Sequence, residues 1–579
     1  MTPDRTSLQS TRRRLLAAGA AGSLTALSGC VREVRNIIRR SPDQNLSLSI
    51  ATVPEDADPQ ATQLAMELQD SLEIAGIETT LSFLPRVEFY RQILINHEFD
   101  LFVGRHPGGT DPDFLYEALH SRFADEWGWQ NPFGFTSIAF DDRLDDQRER
   151  NGSDRVGAVS DVLLAIGDEQ PFSPLCRPIE RRLVDTDRFA GWDEHHLCER
   201  LAYASLEPDD DNASLHGIIT DARPTENLNP LSVEYRDRQT FIDLLYDSLA
   251  TRDGDELVPW LAEEWEWDGR TATVELRATS WHDGEPLTAE DVAFTYRFLE
   301  DTSLGENDVP SPAPIYRGRA SAIDRIQVTG STRIELTAAG GTEAAENAFT
   351  IPILPEHVWR ERTDEASVAG IDSAEGTTTA VVTDNVEPVG SGLYEFEARS
   401  ERSSLELGLF DDHFANTAFD LPTPSVESLR FDVAPSSGAA IEAVETGETD
   451  VTVSPLDPRT VGEDELPDHV GLLETDTTYI YCIGYNTRTS PLGNPYFRQT
   501  VASLVDKAHL VETVFDGSAE PIASPIGEPW LPESLEWRDT DPLTPFLGSD
   551  GELNEPAVRR AFEDLGYRYD EDGALLVRN

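Results

Sequence analysis

An alternation of strand and helix patterns near the start of the chain places the strongest constraint on the fold. Alternating apolar and polar residues from Leu46 predict a strand, and the amphipathic pattern of 61–74 predicts a helix. A second strand at 77–83, a helix at 89–95 and a buried strand at 99–103 follow with short connections. Strand–helix–strand units joined by short loops predict a parallel sheet in an α/β fold.

Length and charge narrow the class of protein. A chain of 579 residues is too long for one ordinary core, so two or more lobes are expected. It carries 46 basic and 108 acidic residues, a net charge of −62, with the acids spread along the whole chain and Lys507 as its single lysine. This composition indicates adaptation to high salt, where screening shortens charge repulsion to a few ångströms. The negative field repels phosphate, which argues against nucleic acid as a partner.

The residues that usually carry chemistry form no recognisable constellation. The four cysteines, Cys30, Cys176, Cys198 and Cys482, match neither a zinc nor a CxxC spacing. A disulfide between Cys176 and Cys198 stays open. No HExxH, GxSxG or Walker motif occurs. The sequence therefore predicts no enzyme, no metal site and no cofactor.

Residues 1–30 have the pattern of an export signal. Three arginines at 12–14 and two leucines fit the twin-arginine pattern, and the apolar run behind them is too short to span a membrane. Leu-Ser-Gly-Cys at 27–30 resembles a lipobox, which implies cleavage before Cys30 and a lipid on its thiol; a chance cysteine is the alternative. The tether 31–45 carries four arginines, which can lie on anionic headgroups. We expect an exported protein anchored to the outer face of the cell membrane.

A turn followed by a capped helix lies in mid-chain, at residues 281–300. Asp283-Gly284 is a turn dipeptide, and Thr288 is the predicted N-cap with Asp291 three residues on. The run D-G-x-P-L-T-A-x-D-V-x-F-T resembles the signature of family 5 solute-binding proteins, the extracytoplasmic receptors of peptide- and nickel-type ABC importers. We expect this stretch to shape the turn and not to touch a ligand.

The resemblance implies a fold and a function. The fold is an α/β, two-lobe, periplasmic-binding-protein-like fold of class II, whose large first lobe carries an extra subdomain. The function is to bind a peptide or small solute by lobe closure without catalysis, as a monomer, with ABC permease and ATPase subunits as partners. Two alternatives stay open. One is a ligand sensor for a membrane signalling partner; the other, which the missing nucleophile and base disfavour, is a secreted hydrolase.

The segments that resemble the family stand in an unusual order. Those similar to its C-terminal part, such as the E-Q-P-F-S-P-L run at 169–175, lie before residue 200, whereas those similar to its beginning start at residue 215. Each segment occurs once, so the chain resembles a circular permutant. Permutation requires neighbouring ends, so we expect Asn45 and Asn579 within about 25 Å of each other.

This order predicts how the chain is divided. The expected units are a signal at 1–30, a tether at 31–45, the second lobe at 46–200, a linker at 201–214, the first lobe with its extra subdomain at 215–475, and the remainder of the second lobe at 476–579.

By resemblance, a glycine-rich loop after residue 103 forms one wall of the ligand cleft. In peptide-binding relatives this loop carries an aromatic residue and an acid that pairs with the peptide amine; here those positions read Arg105 and Gly108, with Asp111 as a partial substitute. Arg105 and His106 instead favour an anionic or carboxylate-bearing ligand. Two alternatives stay open: Arg105 pairs with a neighbouring acid, and Asp111 caps a helix.

Further cleft candidates are aromatic or lie at a strand end, and core packing is the alternative for each. They are Trp127, Trp129, Phe133, Phe135, Tyr485 and Asn486.

Overall fold

The computed structural model describes residues 44–209, 213–366, 376–461 and 466–577. The expected signal, Cys30 and nearly all of the tether lie outside these ranges. Within them, no helix is both long enough and apolar enough to cross a lipid bilayer.

One mixed sheet of six strands takes its members from both ends of the chain. In spatial order these are Glu78–Phe83, Ser47–Thr52, Leu101–His106, Ile480–Tyr485, Phe172–Pro178 and Ala519–Pro521. The first three are parallel to one another, as the strand–helix–strand pattern predicts, and the other contacts are antiparallel. Helices Pro59–Ile74 and Lys507–Val514 pack on this sheet.

Local sequence explains the helix Pro59–Ile74. Asp58 is its N-cap and accepts a hydrogen bond from the Ala61 N–H over 3.0 Å, with a proline at the first helical position. Leu64, Leu68 and Leu72 recur every four residues and are almost fully buried. The helix therefore presents one apolar face to the sheet.

A second sheet of seven strands lies wholly between residues 180 and 475. In spatial order its strands are Tyr394–Ser400, Ser404–Leu409, Val426–Val433, Ala213–Ile219, Val451–Thr452, Glu180–Asp185 and Val470–Thr475. Beside it, a four-stranded antiparallel sheet is formed by Ala262–Asp268, Thr271–Leu276, Arg333–Ala338 and Ile323–Val328. The two large sheets are the bases of two lobes.

The mid-chain stretch folds as predicted into a turn and a capped helix, Ala289–Glu300. The Thr288 N–H donates to the Asp291 carboxylate over 2.8 Å and closes a capping box. Trp281 is fully buried at the turn, where Gly284 has φ +87°. The helix packs against the four-stranded sheet.

The chain passes from one large sheet to the other as a two-stranded ribbon. One ribbon strand runs through Phe172–Pro178 and Glu180–Asp185, and the other through Val470–Thr475 and Ile480–Tyr485. The two pair antiparallel on both sides of the crossing. This corrects the predicted limit of the second lobe at residue 200, because the strand from residue 180 already belongs to the other sheet.

The expected linker 201–214 is also different in the structure. It begins inside the helix Arg200–Ala204, where Leu201, Ala202 and Tyr203 are buried in the core around the seven-stranded sheet. A short pair of strands, Phe189–Ala190 and Glu207–Pro208, follows this core contact. Residues 210–212 of the expected linker lie outside the described ranges.

The two ends of the described chain meet beside the six-stranded sheet. The Leu46 N–H donates to the Leu575 carbonyl over 2.7 Å, and the Val577 N–H donates to the Gln44 carbonyl over 2.9 Å. Gly76 lies beside this contact with φ +81°, and a Cβ there would overlap the carbonyl oxygen of Gly573. The ends are therefore strand neighbours, up to residue 577.

The remaining elements are two-stranded pairs and further helices. The other two-stranded pairs are Ala250–Asp253 with Glu256–Pro259, Gly548–Ser549 with Glu552–Leu553, and Arg568–Tyr569 with Leu575–Leu576. The other α-helices are Arg86–Tyr90, Phe114–Leu119, Ile138–Glu149, Gly152–Glu169, Thr240–Leu245, Arg317–Ala320, Thr342–Asn347, Glu356–Trp359, Thr379–Val382, Ser437–Glu445, Pro495–Ala502 and Glu555–Asp564. A π-helical turn, Arg91–Ile95, continues the helix Arg86–Tyr90.

Candidate functional site

A cavity of about 910 Å³ lies between the two lobes. Its walls are formed by chain segments that come directly after the carboxyl ends of parallel strands in both sheets. From the six-stranded sheet come segments 54–60 and 85–87, and from the seven-stranded sheet come 219–228, 435–438 and 453–460. Ligand sites of open α/β sheets form at this edge because the connecting loops converge there.

The charge of the cavity differs from that of the whole chain. Seven arginines and seven acidic residues line it, whereas the chain has 46 basic and 108 acidic residues. The arginines are Arg86, Arg105, Arg223, Arg236, Arg238, Arg402 and Arg459, and the acids are Glu55, Asp56, Glu180, Asp221, Glu226, Asp237 and Asp457. Positive charge is thus concentrated at this edge of the sheets.

Arg105 lines the cavity but is neutralised by Asp58. Its Nε lies 2.7 Å from the Asp58 carboxylate, which also accepts from the Tyr481 hydroxyl over 3.0 Å. The guanidinium lies over the rings of Tyr479 and Tyr481, 4.8 and 5.3 Å from their centres. Burial lowers the pKa of Arg105, but Asp58 outweighs burial and the net pKa is raised. The alternative in which Arg105 pairs with a neighbouring acid is the one observed.

A network around Asp237 ties the two lobes together. Asp237 lies 2.8 Å from the Arg223 guanidinium of its own lobe and accepts from the Tyr90 hydroxyl of the other lobe over 2.7 Å. Arg86 of that other lobe pairs with it as well. Burial raises the pKa of Asp237, but Arg223 and Arg86 hold it well below its ordinary range. The carboxylate is therefore a charged link between the two lobes at the cavity wall.

Arg238 connects the cavity to the thiol of Cys198. Its guanidinium pairs with Glu180, lies 4.8 Å from the Tyr479 ring centre, and approaches the Cys198 Sγ to 2.9 Å. Burial raises the pKa of Cys198, but a hydrogen bond with His196 and nearby positive charge lower it overall.

The described cysteines are all free thiols. A disulfide between Cys176 and Cys198 is therefore not formed. Cys176 and Cys482 are buried, and burial raises the pKa of both thiols. Among the described residues, no group of three or more His, Cys, Asp or Glu side chains is placed to hold a metal ion.

Arg236 differs from the other arginines of the cavity because no carboxylate pairs with its guanidinium in the described part of the chain. It is 9% exposed, and its Nε donates to the Ser232 carbonyl over 3.0 Å. Its Nη1 is buried without a hydrogen-bond partner. Burial lowers the pKa of Arg236 to about 10.

His106, expected beside an anionic ligand, lies in the aromatic core instead. It is 2% exposed, and its ring stacks on Phe172 with centres 5.7 Å apart. Its Nδ1 accepts from the Gly108 N–H over 3.0 Å. Burial lowers the pKa of His106 to about 3, so the ring is neutral. The expectation that it attracts an anion is wrong for this physical reason.

Two other residues of the glycine-rich loop have structural explanations. Gly108 has φ +64°, and a Cβ there would overlap the Thr478 carbonyl oxygen, so the position excludes an acidic side chain. Asp111 pairs with the buried Arg155 at 2.6 Å and accepts from the Asp113 N–H over 2.8 Å. Neither residue lines the cavity.

The remaining candidates are core residues. Phe133 and Tyr485 are fully buried, and the Tyr485 hydroxyl lies 2.6 Å from that of Ser173. The Asn486 amide donates to the Phe99 carbonyl over 2.9 Å. Trp129 packs edge-on against a tyrosine of the same core, and neither Trp127 nor Phe135 lines the cavity. Of the residues singled out from sequence, Arg105 alone lies at the cavity.

Sequence reasoning missed the segment 235–242, which contributes seven residues to the cavity wall. A signal was available. Arg236, Asp237 and Arg238 form a charged run directly before the helix Thr240–Leu245.

A mixed α/β fold whose two lobes enclose a cavity defines the class of solute-binding proteins. Residues 256–573 match the model of the bacterial extracellular solute-binding proteins, family 5 middle, and the chain belongs to this family. The predicted fold class, a two-lobe periplasmic-binding-protein-like fold, is thereby confirmed.

The relatives are binding proteins and not enzymes. The dipeptide-binding protein of Escherichia coli is 22% identical over 279 residues, covering 45% of this chain and 48% of its own. The oligopeptide-binding protein AppA of Bacillus subtilis is 22% identical over 311 residues, covering 52% and 50%. The chain thus spans about half the length of the curated relatives it matches.

Two solved structures are also similar. AppA of Bacillus subtilis in complex with a nonapeptide is 18% identical, with a TM-score of 0.42 over 63% of this chain and 66% of that one. NikZ of Campylobacter jejuni in complex with Ni(L-His) is 16% identical, with a TM-score of 0.44 over 63% and 65%.

Proposed function

We propose that the protein is a solute-binding receptor that holds a peptide or a related solute between its lobes and delivers it to an ABC importer. The observation that carries this proposal is the cavity of about 910 Å³ between the two lobes. Its size lies within the roughly 300–1,000 Å³ of ligand pockets. Membership of family 5 and the peptide-binding names of the relatives support the ligand class. The receptor works as a monomer, with permease and ATPase subunits as partners.

Native mass spectrometry of protein purified from its source cells tests this function. We expect a bound solute, and peptides in the material released by unfolding. Ala222→Trp fills the cavity and should abolish retention, whereas Ala139→Trp, on an exposed helix face, should retain the solute. Protein that carries no solute and binds no peptide from a defined pool would overturn the function.

We further propose that the chain is a circular permutant of the family. The meeting of the Leu46 and Leu575 backbones supports this, because a conventional family member would run through that point without a break. The family match also begins at residue 256 and leaves four strands of the six-stranded sheet outside it. The second lobe then consists of 46–178 and 480–577, and the first lobe of 180–475.

Export and anchoring complete the proposal. The twin-arginine pattern carries folded cargo, which suits a protein whose acidic surface is adapted to a salty cytoplasm, and Cys30 receives the lipid. Cys30→Ala should move the protein from the membrane fraction to the medium, while a matched Cys482→Ala variant stays with the membrane. A Cys30→Ala protein that remains in the membrane fraction would contradict the anchor.

A further inference from the structure

Six of the seven arginines at the cavity have a carboxylate partner. The clearest pairs are Arg105 with Asp58 at 2.7 Å and Arg223 with Asp221 at 2.6 Å. The others are Arg86 with Asp237, Arg238 with Glu180, Arg402 with Glu226 and Arg459 with Asp457. The seventh cavity arginine, Arg236, has no carboxylate partner among the described residues. Its guanidinium has one hydrogen bond, to the Ser232 carbonyl, and its Nη1 has none.

An uncompensated guanidinium at this depth is costly. A buried charge without a partner costs several kcal/mol, and a single carbonyl hydrogen bond does not restore that loss. The groups that interact with it most are the phenols of Tyr246 and Tyr316 and the like charge of Arg223, and none of them is an anion. With 108 acids in the chain, the missing partner is not a consequence of scarce carboxylates.

We propose that the carboxylate of the bound solute is the partner of Arg236. Guanidinium groups bind carboxylates through two parallel hydrogen bonds, which fixes both the position and the orientation of the ligand. The preferred solute is then a peptide with a free C-terminus or another small molecule with a carboxylate. This inference rests on the proposed function, because it assumes that the cavity between the lobes is the ligand site.

The assignment replaces the role first expected of Arg105. Arg105 is already paired with Asp58, whose side chain is 4% exposed. A ligand carboxylate would therefore have to displace Asp58 in order to bind Arg105. Arg236 requires no such exchange. Both arginines line the same cavity. Arg236 can therefore bind the ligand while Arg105 stays paired with Asp58 in the cavity wall.

Stability of the ligand-free protein gives the first test. Arg236→Gln removes an unpaired buried charge, so the midpoint of thermal unfolding should stay unchanged or rise by a few degrees. Arg223→Gln is the matched comparison, because it leaves Asp221 without its cation and removes one of the two cations paired with Asp237, so it should lower the midpoint. A fall in Arg236→Gln as large as that of Arg223→Gln would mean that Arg236 has a structural partner, and would overturn the proposal.

Binding gives the second test, with three probes at one KCl concentration. These are a random tetrapeptide pool with free carboxyl ends, the same pool with amidated ends, and a mixture of succinate and citrate. Wild-type protein should retain the free-acid pool at least about tenfold better than the amidated pool, since charge-assisted hydrogen bonds are about twice as strong as neutral ones. Arg236→Gln should lose that preference, and Arg538→Gln, an exposed arginine away from the cavity, should keep it.

The outcomes separate the two proposals. Equal retention of both peptide pools overturns the role of Arg236 and leaves the peptide receptor standing. Retention of succinate or citrate alone, lost in Arg236→Gln, overturns the peptide ligand and supports the carboxylate partner. Failure of the wild type to bind any of the three overturns both.

Discussion

The backbone N–H of Leu46 donates a hydrogen bond to the carbonyl oxygen of Leu575 over 2.7 Å. A bridge between Asn45 and Leu576 extends this contact. Residues more than 500 positions apart in sequence are therefore neighbours in one small sheet. The same contact decides how the chain can be reconnected.

A chain with residue 577 joined to residue 44 by a short Gly/Ser linker, and opened between 209 and 213, should fold. Closing a few residues of loop costs little entropy, since the ends already meet. We expect a thermal midpoint within a few degrees of the wild type and unchanged solute retention. As a control, opening the same linked chain inside the strand Ala213–Ile219 should prevent folding, because that strand lies in the middle of its sheet. A linked chain that folds no better than this control would contradict the permutation.

Breaking the pair of Arg105 and Asp58 should destabilise the protein strongly. Arg105→Gln leaves the Asp58 carboxylate buried without its cation, at a cost of about 3 kcal/mol in the free energy of unfolding. Asp58→Asn in the same chain should recover much of this loss, because asparagine still caps the helix Pro59–Ile74. Denaturant unfolding of the two single variants and the double variant gives the coupling energy. Additive losses would show that the two side chains do not stabilise each other.

Acid should destabilise the protein in part through His106. Its pKa is about 3 in the folded protein and about 6.5 when unfolded, so between these values only the unfolded state binds the proton. The free energy of unfolding therefore falls as pH falls from 6.5 towards 3, by up to about 1.4 kcal/mol per pH unit from this group. His106→Asn keeps an acceptor for the Gly108 N–H and should show a shallower slope in denaturant titrations from pH 7 to 4. If its slope matches those of the wild type and of the control His469→Asn, the prediction fails.

Cys198 should react faster with alkylating reagents than the other described thiols. Burial raises the pKa of Cys198, but the hydrogen bond with His196 and the charge of Arg182 lower it overall, whereas burial raises the pKa of Cys176 and Cys482. In a Cys30→Ser background, one equivalent of iodoacetamide label at neutral pH should map to Cys198. Arg238→Gln removes the cation 2.9 Å from the sulfur and should slow the reaction several-fold. Labelling at Cys176 or Cys482 in the native state would contradict the assignment.

Local patterns predicted the parts of the fold that depend on local chemistry. The capped helix Ala289–Glu300 and the parallel strands that begin at Ser47 follow from capping residues and apolar spacing. The crossing at Pro178 was not predictable in this way. The run from Phe172 to Asp185 keeps one extended pattern, and only the strand partners reveal that it serves two sheets.

The site was harder to predict because it depends on pairing across long sequence distances. Arg105 and His106 are adjacent, yet one is charged at the cavity and the other is neutral among aromatic rings. Their environments come from residues such as Asp58 and Phe172, which no local pattern links to them. Arg236 could be recognised only after every other arginine of the cavity had been matched with an acid.

The ribbon between the lobes has a consequence for motion. Its two strands are hydrogen-bonded to each other above and below the crossing, so opening of the lobes must bend both strands together near Pro178 and Ile480. Both described ends of the chain lie within one lobe, away from this hinge. We therefore expect that joining residues 44 and 577 leaves the hydrogen bonds of this ribbon intact.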